Sequence, residues 1–133
     1  MKALKANMVK GLPVGAYVDT CDNSGAKTVK IYSVFGHKTR KGQKPAAGVS
    51  DLVMVAIKKG KPDVRKTVAF AIVVRQKKEY KRANGMRIKF EDNAVVILKD
   101  EKGNPKGTIF KGPIAKEVAD RWPAVAKIAS MIV

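Results

Sequence analysis

Basic side chains are the residues of this sequence that most clearly indicate a chemistry, the binding of phosphate groups. The chain holds 28 lysines and arginines against 11 acidic residues, a net charge of +17 at pH 7. Such an excess of like charge opposes compaction, so a polyanion that neutralises it is the expected partner. Residues 1–90 carry 21 basic and 5 acidic residues, whereas residues 91–133 carry 7 and 6. The first two thirds are therefore predicted to face the polyanion.

The basic residues cluster near predicted loops and strand ends, where long side chains can reach phosphates. The alternative is a merely solvated, soluble surface, which the large net charge disfavours. If about seven phosphates were neutralised, affinity would fall with the logarithm of salt concentration at a slope of roughly −5 to −6. The residues predicted to bind RNA phosphates are Lys27, Lys38, Arg40, Lys41, Lys44, Lys58, Lys59, Lys61, Arg65, Lys66, Arg75, Lys77, Lys78, Lys81, Arg82 and Arg87.

Aromatic and polar turn residues offer further contacts. Tyr80 lies between Lys78 and Lys81, and Tyr32 also has a basic neighbour. A ring among cations either stacks on an unpaired base or packs at a strand end. Only 6% of the residues are aromatic, which favours binding by shape and phosphate contact over base-by-base reading. The turn-forming segment 23–25 (Asn-Ser-Gly) either presents polar edges to RNA or only makes a turn.

Residues able to catalyse a reaction are scarce. Cys21 is the only cysteine and His37 the only histidine, and a thiol mechanism needs at least such a pair. Asp19 and Asp22 flank the cysteine and would oppose formation of the thiolate. One cysteine and one histidine cannot supply a usual zinc site, and no GxxxxGK[ST] loop is present. The sequence therefore predicts a protein that is not an enzyme and that has no cofactor or metal.

The cellular compartment is predicted from the same features. A single cysteine allows no internal disulfide, which is typical of a reducing compartment. The longest apolar runs, such as 94–98, are too short to cross a bilayer. Lysines interrupt the first ten residues, so they contain no continuous apolar signal-peptide core. We expect a cytoplasmic protein with no membrane partner.

The elements that must position the cations are mostly predicted β-strands. The near-continuous apolarity of 52–57 and 68–74 predicts strands buried on both faces or closed into a barrel. Asn84-Gly85 predicts a hairpin. Segment 37–50 has little pattern, so we expect a functional or disordered loop. Apolar, β-branched stretches of strand length lie at 14–20, 29–35, 52–57, 68–74 and 94–98.

The C-terminal segment predicts two short helices. Pro113 is predicted at the first helical position, and Pro123 is predicted to end or kink the helix. Val118, Trp122 and Val125 recur at helical spacing and form an apolar face. That face either packs in the core or contacts a partner, and the low net charge here favours a protein partner over RNA.

Seven segments in a fixed order carry a resemblance to a known family. They are GLPVGA (11–16), DNSGAK (22–27), PAAGVSDLVM (45–54), KKGKPDVRK (58–66), VVRQKKEYKR (73–82), NG…F.DNAVV (84–96) and KGPIAKEVADRWP (111–123). Together they resemble the universal large-subunit ribosomal protein of family fourteen, in its archaeal and eukaryotic branch. The similarity extends almost from end to end and is weakest in residues 1–10.

The resemblance implies a mainly β fold, a small five-stranded antiparallel β-barrel with a projecting β-ribbon and short C-terminal helices. It also implies a single domain over residues 1–133, with the barrel at roughly 12–111 and the helical segment at roughly 112–133. The implied role is a structural constituent of the large ribosomal subunit that binds large-subunit rRNA at the subunit interface and contributes to intersubunit bridges.

The resemblance further implies particular partners. They are large-subunit rRNA, small-subunit rRNA across the interface, neighbouring ribosomal proteins of families three and twenty-four-e, and the subunit anti-association initiation factor six. In the family this factor docks beside the C-terminal region, where the apolar face with Val118, Trp122 and Val125 is predicted.

Two other classes of protein share some of these features. A free-standing architectural nucleic-acid-binding barrel would have the charge and the strands, but it would not need the neutral last third and should bind DNA duplexes as well. A nucleic-acid-modifying enzyme would need a cluster of acids, bases or metal ligands, and the sequence offers none.

Overall fold

The computed structural model describes residues 3, 8–36, 41 and 44–133. Over these ranges the chain forms nine β-strands and two α-helices. The strands are β1 (Leu12–Pro13), β2 (Tyr17–Thr20), β3 (Ala26–Val34), β4 (Ala46–Ala47), β5 (Leu52–Gly60), β6 (Val68–Arg75), β7 (Tyr80–Lys81), β8 (Arg87–Ile88) and β9 (Ala94–Leu98). The helices are α1 (Lys116–Arg121) and α2 (Pro123–Ile128).

Five strands, in the order β2-β3-β5-β6-β9, form a closed barrel, which confirms the predicted fold class. Each strand runs antiparallel to the next except at the closure, where β2 and β9 are parallel. There Asp19 lies opposite Ala94 and Thr20 opposite Val95. Because strand directions alternate around the barrel and five is an odd number, the two strands that meet last must point the same way. The barrel is therefore not antiparallel throughout.

Strand β9 and the second half of β6 are buried on both faces, as the apolar run in β6 predicts. Ala71 and Val73 of β6 belong to the cluster inside the barrel, together with Val95 of β9. Their sequence neighbours Ile72 and Val96 belong to a second cluster, which includes residues of both helices. Successive side chains of a strand point to opposite faces. The helices thus cover the outer face of these two strands. The two predicted alternatives, burial on both faces and closure into a barrel, therefore occur together.

The helical segment begins later than predicted. Helix α1 starts at Lys116, so Pro113 is not at a first helical position. The segment before α1 bonds to the barrel instead, since the N–H of Ala115 donates to the carbonyl oxygen of Val74 at 3.2 Å. Pro123 does divide the segment, because it is the first residue of α2. No helix of the described ranges is long and apolar enough to span a membrane.

Two further contacts complete the fold around the barrel. Strands β7 and β8 form the hairpin that Asn84-Gly85 predicts, and Gly85 has a positive φ of 89°. At the N-terminal side, Met8 is buried in the outer cluster, and Nζ of Lys10 lies 2.6 Å from Oδ2 of Asp51. Residues 8–10 are therefore part of the packed structure, although no pattern in the sequence predicted a role for them.

Candidate nucleic-acid interface

The loop between β5 and β6, together with the last residues of β5, presents the most concentrated set of exposed cations. It turns tightly, because the N–H of Lys66 donates to the carbonyl oxygen of Ile57 at 2.9 Å. The backbone of Lys66 has a positive φ of 68°, a conformation that residues other than glycine rarely adopt. A shallow pocket of about 530 Å³ lies beside the turn. The exposed cations, none of which forms an ion pair within the described residues, are Lys58, Lys59, Lys61, Arg65 and Lys66.

A second set surrounds the β7–β8 hairpin. Lys77, Lys78 and Lys81 are exposed, and none of their side chains forms an ion pair in the described part of the chain. Arg87 lies 3.1 Å from Glu79, but both side chains are well exposed, at 65% and 44%. Exposed pairs of this kind contribute little to stability, so the Arg87 guanidinium can exchange its partner for a phosphate at small cost.

Arg75, by contrast, is used inside the protein. Its Nε and Nη2 donate to the two carboxylate oxygens of Asp92 at 2.9 and 3.2 Å. Its Nη1 donates to the carbonyl oxygens of Lys111 and Pro113 at 2.8 and 2.9 Å. Only 8% of the residue is exposed. The side chain therefore ties the end of β6 to the segment before α1, and four of its five N–H donors are used within the protein.

Arg82 also bonds within the chain. Its Nε donates to Oε1 of Glu117 in α1 at 2.8 Å, and its Nη2 donates to the carbonyl oxygen of Val133 at 2.6 Å. Burial alone would lower the pKa of Arg82, but hydrogen bonds to Glu117 and Tyr80 and the attraction of Glu117 raise it overall. This network holds the β7–β8 hairpin against the helix.

Tyr80 lies in the same network and is fully buried. Its hydroxyl lies 3.1 Å from Oε2 of Glu117. Burial, and then the negative charge of Glu117, raise the pKa of Tyr80 to about 12. Of the two alternatives for this ring, packing agrees with the structure, because a ring with no exposed surface cannot stack on a base.

The third predicted set is only partly described. Lys38 and Arg40 lie outside the described residues, as does His37. Lys41 and Lys44 are exposed. The end of segment 37–50 is ordered against the barrel, since Ala46 and Ala47 of β4 pair with Pro13 and Leu12 of β1.

Lys27 lies in a cleft that sequence reasoning did not anticipate. The cleft has a volume of about 620 Å³, and its lining includes Lys27, Lys61 and Lys111. Backbone hydrogen bonds bring these segments to the same cleft. The N–H of Lys61 donates to the carbonyl oxygen of Gly25 at 3.0 Å, and the N–H of Lys111 donates to the carbonyl oxygen of Cys21 at 2.6 Å. Lys111 belongs to the last third, where basic and acidic residues nearly balance, so the distribution of charge did not mark it.

The turn after β2 uses its polar groups within the protein. Oδ1 of Asn23 accepts the N–H of Thr108 at 2.8 Å, and Oδ2 of the buried Asp22 accepts the N–H of Ile97 at 2.9 Å. Gly25 has a positive φ of 100°, as a tight turn requires. The alternative in which segment 23–25 only makes a turn agrees with these contacts.

Cys21 has no sign of reactivity. It is 2% exposed, and burial raises the pKa of its thiol to about 11. The nearby charge of Arg75 lowers this pKa, whereas those of Asp22 and Asp92 raise it. Asp19, which the sequence also suggested, is not among the causes. Within the described ranges no group of three residues could hold a metal ion.

The apolar helix face packs inward. Val118 and Val125 are fully buried and Trp122 is 2% exposed. The indole Nε1 of Trp122 donates to the carbonyl oxygen of Ser50 at 2.9 Å, which satisfies its polar atom. All three side chains belong to the cluster between helices and barrel. They could meet a protein partner only if the helices left the barrel, so the core alternative agrees with the structure.

The described residues form a closed five-stranded barrel that carries exposed, unpaired cations and has no group of three possible metal ligands. These features define a small basic β-barrel protein. Residues 11–133 match the family model described as ribosomal protein L14p/L23e, and the chain belongs to that family. It is 58% identical over 133 residues to the large ribosomal subunit protein uL14 of Nanoarchaeum equitans, covering 100% of both chains. It is 49% identical over 132 residues to the protein of that name from Methanococcus vannielii, covering 99% of each.

These relatives confirm the resemblance noted in the sequence. They also agree with the prediction of a structural protein rather than an enzyme, because the family consists of ribosomal proteins. The free-standing architectural barrel and the modifying enzyme are therefore set aside.

Proposed function

We propose that this protein is a structural constituent of the large ribosomal subunit that binds large-subunit rRNA. The observation that carries the proposal is the division of its basic residues. Arg75 and Arg82 bond within the protein, whereas the lysines around the β5–β6 loop and the β7–β8 hairpin are exposed and unpaired in the described ranges. Cations that the fold does not use are available to neutralise a polyanion.

The mechanism we propose is scaffolding. The barrel buries its own core and gives the loops fixed positions, so the cations at Lys58–Lys66 and Lys77–Lys81 are held in a set geometry. RNA strands repel one another, and cations between them allow close approach. Arg75, Arg82 and the buried Tyr80 support this scaffold from within rather than contacting RNA.

The location in the ribosome rests on the family resemblance. We propose that the protein lies at the face that meets the small subunit and contributes to intersubunit bridges with small-subunit rRNA. We also propose contacts with neighbouring proteins of families three and twenty-four-e and with initiation factor six. A docked factor would meet exposed residues near the C-terminus, such as Met131 and Ile132, rather than the buried Trp122.

We further propose that residues 1–133 act as one domain. The helices and the barrel share the outer apolar cluster, which joins Ile72 and Val96 to Val118 and Trp122. The predicted division near residue 112 would then mark a change of structure within one core, not a boundary between independent units.

Co-sedimentation tests the proposed function. The tagged protein would be followed through a gradient of native cell extract at moderate salt, and the fractions would then be washed with increasing salt. We expect it with large subunits and intact ribosomes in the cytoplasmic extract, with release only at high salt because phosphate contacts are screened. Migration as free protein, or with chromosomal DNA, would overturn the proposal.

A further inference from the structure

Tyr17 on β2 is the most exposed of the tyrosines, since 61% of it is exposed, against 42% of Tyr32 and none of Tyr80. Nζ of Lys30 lies 5.8 Å from the centre of the Tyr17 ring. In the described part of the chain the ring has no aromatic neighbour. A large ring that packs on no aromatic partner and lies beside a cation is a candidate for binding a ligand rather than for stabilising the core.

Strand register places this ring in a row across the outside of the barrel. Tyr17 lies opposite Lys30, Lys30 opposite Ala56, and Ala56 opposite Val68. Directly opposed residues project from the same face of a sheet. Ala56 has a short side chain, and Val68 is 61% exposed. The row is therefore an open stripe with Tyr17 and the cation of Lys30 at one end and the apolar Ala56 and Val68 at the other.

Cations lie beside this stripe where β5 leads into the β5–β6 loop. The pocket of about 530 Å³ is lined by Ala56 and Ile57 together with Lys58, Arg65 and Lys66. No carboxylate lines it. Its volume is within the range of sites that hold small organic groups. The small apolar side chain of Ala56 beside three cations suits a flat group that carries a negative charge.

We propose that the row Tyr17-Lys30-Ala56-Val68 and the adjoining pocket bind one unpaired nucleotide of RNA. The base lies against the Tyr17 ring and the stripe, and the phosphates meet Lys58, Arg65 and Lys66. Base stacking on an aromatic ring tolerates any sequence, because every base has a π-face. A protein partner fits less well, since the centres of protein interfaces are depleted of charged residues. The inference rests on the proposed function and adds a base contact to it.

The test measures affinity for a transcript of the cognate large-subunit rRNA at several salt concentrations. We expect Tyr17→Ala and Tyr17→Leu to weaken binding about 5- to 100-fold, and Tyr17→Phe to stay within about twofold of the natural protein. The salt slope should not change in these variants, because no phosphate contact is lost. Ile109→Ala is the matched control, since Ile109 is also 61% exposed but lies outside the row.

A second readout is ultraviolet cross-linking, with mass spectrometry expected to find a nucleotide attached to the peptide that contains Tyr17. Unchanged affinity of Tyr17→Ala, with a normal salt slope in the natural protein, would overturn the nucleotide site and leave the proposed function standing. Failure of the natural protein to bind the transcript would overturn both. Normal rRNA affinity of Tyr17→Ala, with loss of a neighbouring protein from assembled subunits, would assign the surface to a protein contact.

Discussion

The helix-covered side of the barrel and its loop ends use charged residues in opposite ways. On the covered side Arg75 donates four hydrogen bonds to Asp92 and to two carbonyl oxygens, and only 8% of it is exposed. At the β5–β6 loop Lys58 and Lys61 are exposed and have no ion-pair partner in the described part of the chain. The difference teaches that a positive charge in the sequence does not by itself mark a nucleic-acid contact. Burial and internal bonds decide which cations remain available.

The largest effect on stability is expected from Trp122→Ala on the covered side. Removing this buried ring leaves a cavity and unpairs the carbonyl oxygen of Ser50, so the free energy of unfolding should fall by about 3 to 5 kcal/mol. Denaturant unfolding measures the change. Trp122→Phe, which keeps an aromatic ring, should lose less than half as much. A near-natural stability of Trp122→Ala would contradict its place in the core.

Arg75→Met is expected to have the next largest effect. It leaves two carbonyl oxygens and Asp92 without their donors, at a cost of about 2 to 4 kcal/mol. Arg87→Met is the matched control, because its pair with Glu79 is exposed and its loss should cost less than about 1 kcal/mol. Equal losses in the two variants would remove the distinction between internal and external arginines.

The buried thiol predicts a loss of stability at alkaline pH. Between its ordinary pKa of 9.0 and its pKa of about 11 in the folded protein, Cys21 keeps its proton only in the folded state. The unfolded state then binds fewer protons, so stability falls as pH rises, by about 2 to 3 kcal/mol from this group. Unfolding of the natural protein and of Cys21→Ala at pH 8 to 11 measures it. If the free energies of unfolding of the two proteins changed in parallel with pH, the raised pKa of Cys21 would be refuted.

The smallest effect on stability is expected at the loop end. The triple variant Lys58→Gln, Lys59→Gln and Lys61→Gln should unfold within about 0.5 kcal/mol of the natural protein, because these side chains are exposed. Its rRNA affinity should nevertheless fall, and its salt slope should become shallower by about 2 to 3. Lys127→Gln, an exposed lysine of α2, is the control for charge alone. An unchanged slope would remove this loop from the interface.

The sequence predicted β6 and β9 closely because their pattern reports burial directly, whereas the predicted run 14–20 begins three residues before β2. The run 94–98 has the same bounds as β9, and 68–74 differs from β6 by one residue. Pro123 divided the helices for a local steric reason. The prediction that Pro113 begins a helix is wrong, because tertiary hydrogen bonds, such as the one from Arg75 to its carbonyl oxygen, took precedence over its helical preference.

The site was harder to predict because it depends on long-range contacts. The pairing of Arg75 with Asp92 and of Arg82 with Glu117 joins residues 17 and 35 positions apart, and no local pattern marks either partner. Lys111 lines the same cleft as Lys27 and Lys61 only after the chain has folded. The low aromatic content was noticed, but the exposure of Tyr17 and its place in a row with Lys30 and Ala56 depend on strand pairing, which only the folded structure reveals.

The parallel pairing of β2 with β9 has a consequence for synthesis. A chain that emerges residue by residue exposes Asp19 and Thr20 long before Ala94 and Val95 appear, so the barrel cannot close until about three quarters of the chain has been made. Contacts this distant in sequence form slowly, since the intervening loop must be ordered first. During synthesis, the strongly basic residues 1–90 therefore remain in an open, positively charged chain until β9 has been made. A nascent polypeptide cut off at residue 90 would lack the closing strand, and could not serve as a folded module despite carrying nearly all of the net charge.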